Sequence, residues 1–309
     1  MGCVTSASIG SDMPEIQVVF TGCHTIARPY GRAVTQLSGL TAASDTNASR
    51  WFWLLSDETD NLYRMDNHGS IGANDQGNAI DLGGDGEDLE GVVYKDGVLF
   101  AVQEGEYTVV EFASDSEEPV DVKTYDIERL ACSDENGDAE LCTYIEESSA
   151  NDGLEGITFG NGKFYLLKEK NPGLLIEVNE SLDQIEGFTL LNCGSYEEPC
   201  PDEHPFPDEV DDDSMDFSGL SYDTVSNGVW IVSDTAAAVF LFDPVTHTFG
   251  TFPLVVESSD RCSIIPQGSD LCIEQAEGVA YVEADLLRVV NDRQDANLAV
   301  VYEFEIRRE

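Results

Sequence analysis

The chain has 309 residues, of which 61 are Asp or Glu and 15 are Lys or Arg, giving a formal net charge of −46. Nucleic acids and anionic membranes present dense negative charge, so this balance excludes both as partners. The 41% hydrophobic residues are enough for a core, and no stretch approaches the roughly 20 apolar residues of a membrane span, so we expect a folded protein without direct membrane insertion.

A short motif of an apolar residue, Ser or Glu, Gly and another apolar residue recurs five times along the chain. The copies are Leu37-Ser38-Gly39-Leu40, Leu89-Glu90-Gly91-Val92, Leu154-Glu155-Gly156-Ile157, Phe217-Ser218-Gly219-Leu220 and Ala276-Glu277-Gly278-Val279. Successive glycines are 52, 65, 63 and 59 residues apart. A short motif at near-regular spacing indicates a repeat architecture.

Each motif is followed by two β-rich runs and by room for a further strand. The first of these runs cover 51–58, 98–104, 163–169, 229–234 and 286–292, and the second cover 62–65, 109–112, 174–178, 239–242 and 300–304. β-Branched and aromatic residues fill the runs, and Gly, Asn and Asp fill the gaps, which predicts short antiparallel strands. Four such strands per unit are typical of a β-propeller, whose blades need about 40–45 residues, so these blades carry insertions.

We therefore predict an all-β protein that folds as a five-bladed β-propeller, with six blades as the less favoured count. Residues 1–309 form a single domain, with repeat units predicted at about 33–85, 86–150, 151–213, 214–272 and 273–309. The last unit lacks a fourth strand, and residues 15–20 are expected to supply it and so remove the open edges. A tandem of β-sandwiches is the alternative, but it gives no reason for five equal motifs.

The eight cysteines fall into pairs that are close in sequence, which favours four disulfides and an oxidising compartment. Eight cysteines allow 105 pairings, and free structural thiols are the alternative. The expected pairs are Cys3–Cys23, Cys132–Cys142, Cys193–Cys200 and Cys262–Cys272. The last three would staple the long insertions between blades.

An oxidising compartment predicts an extracellular, cell-surface or periplasmic location. Met1-Gly2-Cys3 leads directly into polar residues, so we expect a start from which a signal peptide has been removed. A mature lipoprotein beginning at Cys3 would leave Cys23 unpaired, and the disulfide is favoured.

At these motifs the chain resembles the SdiA-regulated family of β-propellers, and more distantly the phytase-like esterase propellers and the calcium-dependent lactonases. Besides the five motifs, the matching features are Ser56-Asp57-Glu58, Asp88, Gly153, Lys168-Glu169-Lys170, Ser233-Asp234 and Gln275. The resemblance runs from about residue 33 to residue 305. It implies a calcium-associated, exported β-propeller of poorly defined activity. The chain departs from the family in its cysteine-stapled insertions, its acidity and the pair Asn291-Asp292, where the family usually has Ser-Glu.

The motif carboxylates are the first candidates for a site. Glu90, Glu155 and Glu277 occupy equivalent points at the start of the strand that lines a propeller channel, with Ser38 and Ser218 in the other two blades. Convergence of three carboxylates is unfavourable unless a cation sits among them or protons are taken up. Calcium, which prefers carboxylate and carbonyl oxygens, is the predicted cofactor. The alternative is that each Glu caps backbone N–H groups of a neighbouring blade.

Two further sets of acidic residues are weaker candidates. One set ends the strands that follow the motifs and would face the same mouth: Asp57, Glu104, Glu169, Asp234 and Asp292. The other is the loop with Asp134, Asn136 and Asp138, which offers oxygens at alternate positions but lacks the Gly at the sixth position and the distant bidentate Glu of an EF-hand. Such acidic runs also occur as solvated loops.

We predict a calcium-binding β-propeller that acts as a binding or structural module. Its expected partners are divalent cations, together with a protein, a glycan or further copies of the same chain. One alternative is a calcium-dependent hydrolase of a lactone, ester or phosphoester at the channel mouth. Another is self-assembly into an extracellular or shell-like layer. The chain has no GxSxG motif, which excludes an α/β-hydrolase nucleophile, and catalytic residues stay unassigned.

Overall fold

The computed structural model describes residues 8–9, 15–26, 37–42, 51–56, 61–71, 79–81, 88–113, 123–133, 137–149, 151–192, 215–257, 270–273, 275–282, 285–291 and 299–308. Two strands precede the first blade, β1 (Ser8–Ile9) and β2 (Ile16–Thr25). Blade 1 contains β3 (Leu37–Ala42), β4 (Trp51–Ser56), β5 (Asn61–Asp66) and β6 (Ala79–Asp81). Blade 2 contains β7 (Leu89–Lys95), β8 (Val98–Gln103), β9 (Thr108–Ala113) and β10 (Lys123–Asp126), followed by the helices α1 (Ile127–Ala131) and α2 (Ala139–Glu146).

The remaining blades follow in chain order. Blade 3 contains β11 (Leu154–Gly160), β12 (Lys163–Lys168), β13 (Gly173–Asn179) and β14 (Ile185–Asn192). Blade 4 contains β15 (Gly219–Asp223), β16 (Gly228–Ser233), β17 (Ala238–Asp243) and β18 (Thr248–Pro253), followed by a separate ribbon of β19 (Val255–Glu257) and β20 (Asp270–Cys272). Blade 5 contains β21 (Ala276–Val282), β22 (Leu286–Asn291) and β23 (Val300–Arg308).

The five blades are antiparallel sheets whose first strands form a closed ring. Strands β3, β7, β11, β15 and β21 each contact the first strand of both neighbouring blades. The prediction of an all-β, five-bladed propeller is therefore confirmed. The predicted closure is confirmed too, because β2 pairs with β23 as the outer strand of blade 5, with Phe20 opposite Phe304. The short strand β1 adds a fifth strand to blade 4 by pairing with β18.

The hydrophobic core is divided into clusters that lie between adjacent blades. Each cluster takes buried residues from two neighbouring sheets, for example Leu55 with Leu99, Val102 with Leu166, Tyr165 with Phe240, Val232 with Val279 and Leu54 with Val290. Full burial of each such side chain contributes about 1.5–3 kcal/mol. Adhesion between the sheets, rather than a core within each sheet, therefore holds the ring together.

The motif glycines allow the first strands to approach one another. A Cβ added to Gly91 would lie 2.6 Å from the Cα of Gly156 and 2.8 Å from the carbonyl oxygen of Glu155. A Cβ on Gly39 would lie 2.6 Å from the carbonyl oxygen of Glu90 in the next blade. These obstacles are backbone atoms, which cannot rotate away as a side chain can. Backbone contact between blades therefore explains the Gly of the first, second and fourth motifs, since Gly219 likewise would place a Cβ 2.6 Å from the carbonyl oxygen of Glu277.

The two helices form a disulfide-linked insertion after blade 2. The carboxylates of Asp126 and Asp138 cap α1 and α2, and the predicted Cys132–Cys142 disulfide is confirmed. Cys23 is also disulfide-bonded, but its predicted partner Cys3 lies outside the described residues. The other predicted pairs, Cys193–Cys200 and Cys262–Cys272, involve side chains outside that part of the chain as well. Within the described residues, neither helix combines the length and apolar character needed to cross a membrane.

Two arginines, the buried Arg288 and the partly buried Arg308, tie blade 5 to its neighbours. Arg308, at the end of β23, forms an ion pair with the fully buried carboxylate of Asp223 in blade 4. The indole Nε1 of Trp230 donates a second hydrogen bond to that carboxylate at 3.2 Å. On the other side, Arg288 donates to the backbone carbonyl of Asn67 in blade 1 at 3.1 Å. The blade that closes the ring is thus fixed by charged hydrogen bonds as well as by apolar contact.

Replacing a ring glycine tests the backbone contact. We expect Gly91→Ala to lower the free energy of unfolding by about 1–3 kcal/mol, because the new methyl group overlaps the backbone of blade 3. Gly187→Ala is the matched control, since an added Cβ at Gly187 in β14 meets nothing within 4 Å. Urea unfolding followed by tryptophan fluorescence measures both variants. Equal midpoints for the two would contradict the contact.

Removing the arginine at the last strand tests the closing ion pair. We expect Arg308→Met to lower the free energy of unfolding by about 3 kcal/mol, because it leaves the buried Asp223 without its counter-charge. The control is Arg307→Met, which removes an exposed pair with Glu305 and should cost about 0–1 kcal/mol. Urea midpoints of the two single variants give the comparison, and a loss of less than 1 kcal/mol at Arg308 would refute it.

Candidate metal centre

The motif carboxylates and the residues that follow the second strands lie at the same end of the propeller. Antiparallel pairing sets the start of each first strand opposite the end of the second, with Leu89 opposite Gln103 and Leu154 opposite Lys168. Glu90 and Glu104 therefore face the same mouth in blade 2, as Glu155 does in blade 3. The sheet topology alone accounts for this gathering of acidic side chains.

Irregularities in the first strands set the orientation of the motif side chains. The pairing register with the second strand shifts around Ser38, Glu90, Glu155 and Glu277, so the register skips each of these residues. A bulge of this kind redirects the side chain of the extra residue. The apolar residues on either side of the bulge still point into the cores between blades. The motif thus combines a packed strand with one redirected polar side chain.

Two sets of three carboxylates come together at the mouth between blades 2 and 3. Oxygens of Asp88, Glu90 and Glu104 lie within 4.8 Å of one another, and so do oxygens of Glu104, Glu155 and Glu169. Glu104 belongs to both sets, and we call the five residues the acidic cluster. Glu90 and Glu104 are each only 8% exposed. Cys132, Cys142 and Glu146 also lie close together. They do not form a metal site, because the two sulfur atoms are joined in the disulfide.

Crowding of like charges raises the pKa values in the acidic cluster. Burial, followed by the charge of Asp88, raises the pKa of Glu104 to about 7, although a hydrogen bond from the Gly153 N–H opposes the shift. Burial and the charge of Glu90, and then those of Glu169, Glu104 and Glu277, raise the pKa of Glu155 well above its usual range. Without a bound cation, the cluster therefore retains protons at pH values where isolated carboxylates are ionised.

Two lysines of blade 3 lie beside the cluster and differ in their surroundings. Lys168 is fully buried, and its Nζ donates to the backbone carbonyls of Lys170 and Pro172. Burial lowers the pKa of Lys168 to about 8. The Nζ of Lys170 donates to Glu169 and lies 4.0 Å from Asp152, and its side chain is 34% exposed. Lys168 thus holds the loop in place, whereas Lys170 neutralises one carboxylate of the cluster.

Residues that follow the second strands also connect neighbouring blades. The Gly153 N–H of blade 3 donates to Glu104 of blade 2 over a long 3.5 Å, and the Gln275 N–H donates to Asp234 of blade 4. Both donors come directly before a motif, so the two contacts are equivalent. The capping role that the sequence suggested for the motif glutamates thus occurs at these later acids. Asp234 acts in this way, and neither of the two sets at the mouth includes it.

The axial space below the mouth is narrow. It is lined by Ser38, by the motif glycines and by apolar residues such as Leu40 and Val92. The space has room for about one water molecule. The hydroxyl oxygen of Ser38 is buried and has no hydrogen-bond partner among the described residues. An organic ligand would therefore contact the mouth rather than the axis.

The predicted site residues fall into three groups. Glu90, Glu104, Glu155 and Glu169 come together, and Glu277 is close enough for its charge to raise the pKa of Glu155. Asp138 caps α2 through the N–H groups of Glu140 and Leu141. The candidates Asp57, Asp292, Asp134 and Asn136 lie outside the described residues.

Two contributors to the acidic cluster and its charge balance, Asp88 and Lys170, are among the sequence features that resemble the family, but the sequence did not identify them as members of the site. Asp88 stands directly before the second motif, and its place beside that motif could have indicated it. Lys170 follows the second strand of blade 3 directly after Glu169. The equivalent positions in the other blades differ, so the repeat pattern gave no signal for a lysine there.

The blades, the closed ring of first strands and the carboxylates at one mouth define the class of protein, a five-bladed β-propeller with an acidic mouth. The model of the SdiA-regulated family matches residues 27–303. The chain belongs to the SdiA-regulated family. No curated protein matches it in sequence.

Solved structures show a likeness at the level of the fold. Glutaminyl cyclase from Myxococcus xanthus is 11% identical, with a TM-score of 0.57, and the match covers 96% of this chain and 99% of that one. The PQQ-bound aldose sugar dehydrogenase from Streptomyces coelicolor is 10% identical, with a TM-score of 0.45, over 96% of this chain and 100% of that one. At this identity the likeness concerns the fold alone.

The raised pKa values predict how the stability of the metal-free protein depends on pH. A carboxyl group whose pKa is higher in the folded state binds more protons there than in the unfolded chain, so stability falls as the pH rises. For Glu104 the fall should extend from about its ordinary pKa of 4.5 up to about 7. We expect a flatter profile in Glu104→Gln, measured as urea midpoints between pH 4.5 and 8 in the presence of a chelator.

The control for this profile is Glu106→Gln, because Glu106 is an exposed carboxylate on the same turn. It removes one negative charge without touching the acidic cluster. The general repulsion of a chain with a net charge of −46 changes equally in both variants. A profile that flattens to the same degree in both would contradict a specific contribution from Glu104.

Proposed function

We propose that the protein is an exported, calcium-binding β-propeller that acts as a binding or structural module, with the cation held at the acidic mouth. The observation that carries the proposal is the approach of carboxylate oxygens of Glu104, Glu155 and Glu169 to within 4.8 Å of one another. Calcium binds six to eight oxygens at about 2.3–2.6 Å, so oxygens on opposite sides of one ion lie about 5 Å apart. The spacing of the cluster fits that requirement.

The charge of the cluster favours a divalent ion over retained protons at neutral pH. Protonation leaves several partly buried carboxyl groups that repel one another, whereas one divalent ion neutralises two charges and coordinates further oxygens. Magnesium demands near-ideal octahedral geometry and keeps several waters, so a set of carboxylates drawn from two blades suits calcium better. The chemistry of the donors therefore supports calcium as the resident ion.

Export is supported by the Cys132–Cys142 disulfide, because disulfides persist in oxidising compartments. Calcium is also abundant enough outside cells to occupy weak sites, with affinities of about 10⁻⁴–10⁻³ M in extracellular modules. The alternatives raised by the sequence, calcium-dependent hydrolysis and assembly into a layer, stay predictions.

Calorimetric titration of calcium into chelator-treated protein tests the site. We expect one tighter class of binding in the wild type and at least a tenfold loss of affinity in Glu104→Gln, because Glu104 belongs to both sets of carboxylates. Glu106→Gln is the control for the loss of one negative charge and should bind calcium within twofold of the wild type. Unchanged affinity in Glu104→Gln would refute the site.

A further variant distinguishes an ion at the mouth between blades 2 and 3 from an ion on the propeller axis. Glu277 lies in β21 of blade 5, which does not neighbour blade 3, and belongs to neither set of three carboxylates at the mouth. If the ion sits between blades 2 and 3, Glu277→Gln should weaken binding less than Glu155→Gln. Equal losses in the two variants would instead favour an ion on the axis, as the motif pattern predicts.

A further inference from the structure

We propose that Lys170 is a built-in counter-cation of the acidic cluster, which occupies Glu169 while no ion is bound and moves to Asp152 and Asp216 when calcium enters. This inference rests on the proposed calcium site and concerns the control of its affinity. Lys170 would thereby set the calcium concentration at which the site fills.

The position of Lys170 makes such an exchange geometrically simple. Its Nζ contacts Glu169, whose oxygen lies within 4.8 Å of those of Glu104 and Glu155. The same Nζ is 4.0 Å from Oδ1 of Asp152. A small rotation of the side chain would therefore transfer the ammonium group from a carboxylate of the cluster to one outside it.

The carboxylate of Asp216 is a second group that could pair with the displaced ammonium group of Lys170. Asp216 precedes the fourth motif, and its carboxylate accepts hydrogen bonds from the backbone N–H and the hydroxyl of Thr235. Its charge acts on both Glu169 and Lys170. The charges of Asp152 and Asp216 thus both act on the ammonium group, and both residues lie outside the two sets of carboxylates at the mouth.

The two lysines of this loop are suited to different tasks. Lys168 is fully buried and donates to the carbonyls of Lys170 and Pro172, so it fixes the backbone from which Lys170 extends. The side chain of Lys170 is 34% exposed and does not have to cross a packed core to move. A fixed backbone with a movable ammonium group is what a reversible exchange requires.

Electrostatics favours the exchange once an ion binds. An ion coordinated by Glu169 would lie within about 5 Å of an ammonium group on the same carboxylate, where like charges repel strongly at a partly buried site. The axial space below the mouth also contains a polar group that is unpartnered within the described residues. Ser38, at the position equivalent to Glu90 and Glu155, is 6% exposed, lines the axial space, and its hydroxyl has no partner among the described residues.

The test compares calcium titrations of wild type, Lys170→Gln and Lys163→Gln at one ionic strength. Removing the competing ammonium group should tighten calcium binding at least fivefold in Lys170→Gln. Lys163→Gln changes the net charge by the same amount at the other end of β12, where Lys163 pairs with Glu177 and Glu186. Its affinity should stay within twofold of the wild type.

Each outcome decides the inference and separates it from the calcium site itself. Calcium binding by the wild type with equal or weaker binding by Lys170→Gln overturns the exchange and leaves the proposed function standing. An equal gain in both lysine variants also overturns it, since net charge then explains the effect. If neither the wild type nor Lys170→Gln binds calcium, the proposed function and the exchange fall together.

A spectroscopic measurement on the wild-type side chain covers the case in which Lys170→Gln fails to fold. Reductive methylation with ¹³C-formaldehyde labels lysine amines and keeps their positive charge. We expect the resonance that is missing in Lys170→Arg to shift when calcium saturates the protein, because the labelled amine leaves Glu169. A resonance that stays in place while calcium binds would refute the exchange.

Discussion

Backbone contact between the first strands of neighbouring blades is the constraint on which the rest of the structure depends. The contact requires glycine, because a Cβ on Gly91 or Gly219 would meet the backbone of the next blade at about 2.6 Å. Once the strands are this close, the residue before each glycine is crowded towards the axis as well. The same contact that closes the ring therefore brings the carboxylates of Glu90, Glu155 and Glu277 near one another.

This crowding makes the carboxylates repel one another, and protons and a lysine beside the cluster reduce that repulsion. Burial and like charges raise the pKa values of Glu104 and Glu155, so protons substitute for a cation when none is bound. Lys170 neutralises Glu169 at the edge of the cluster. Basic residues are scarce in this chain, and two others, Arg288 and Arg308, are used to fix the closing blade. The cluster is thus left with less positive charge than its carboxylates require, which is the condition that favours binding a cation.

The fold could be predicted from the sequence because its signals are local and repeated. Each Gly motif marks a first strand, and the missing fourth strand of the last unit pointed to residues 15–20, of which 16–20 lie within β2. The site could be predicted only in part. Repetition identified Glu90 and Glu155, but Asp88 has an acidic counterpart only in blade 4, Asp216, and Lys170 has a basic one only in blade 5, Arg293, so the repeat pattern marks neither position. Individual differences between blades, rather than their common motif, make the mouth asymmetric.

Glu104 and Asp234 illustrate why equivalent positions in a repeat can differ in role. Both follow the second strand of a blade, and both accept an N–H from the residue before the next motif. In blade 2 the motif and the residue before it carry Glu90 and Asp88, so the carboxylate that connects two blades also belongs to an acidic cluster. In blade 4 the motif carries Ser218, and Asp234 has only the connecting role among these contacts. Because the backbone contact is shared and the neighbouring side chains are not, one structural position can acquire a ligand role in one blade without disturbing the closure of the ring.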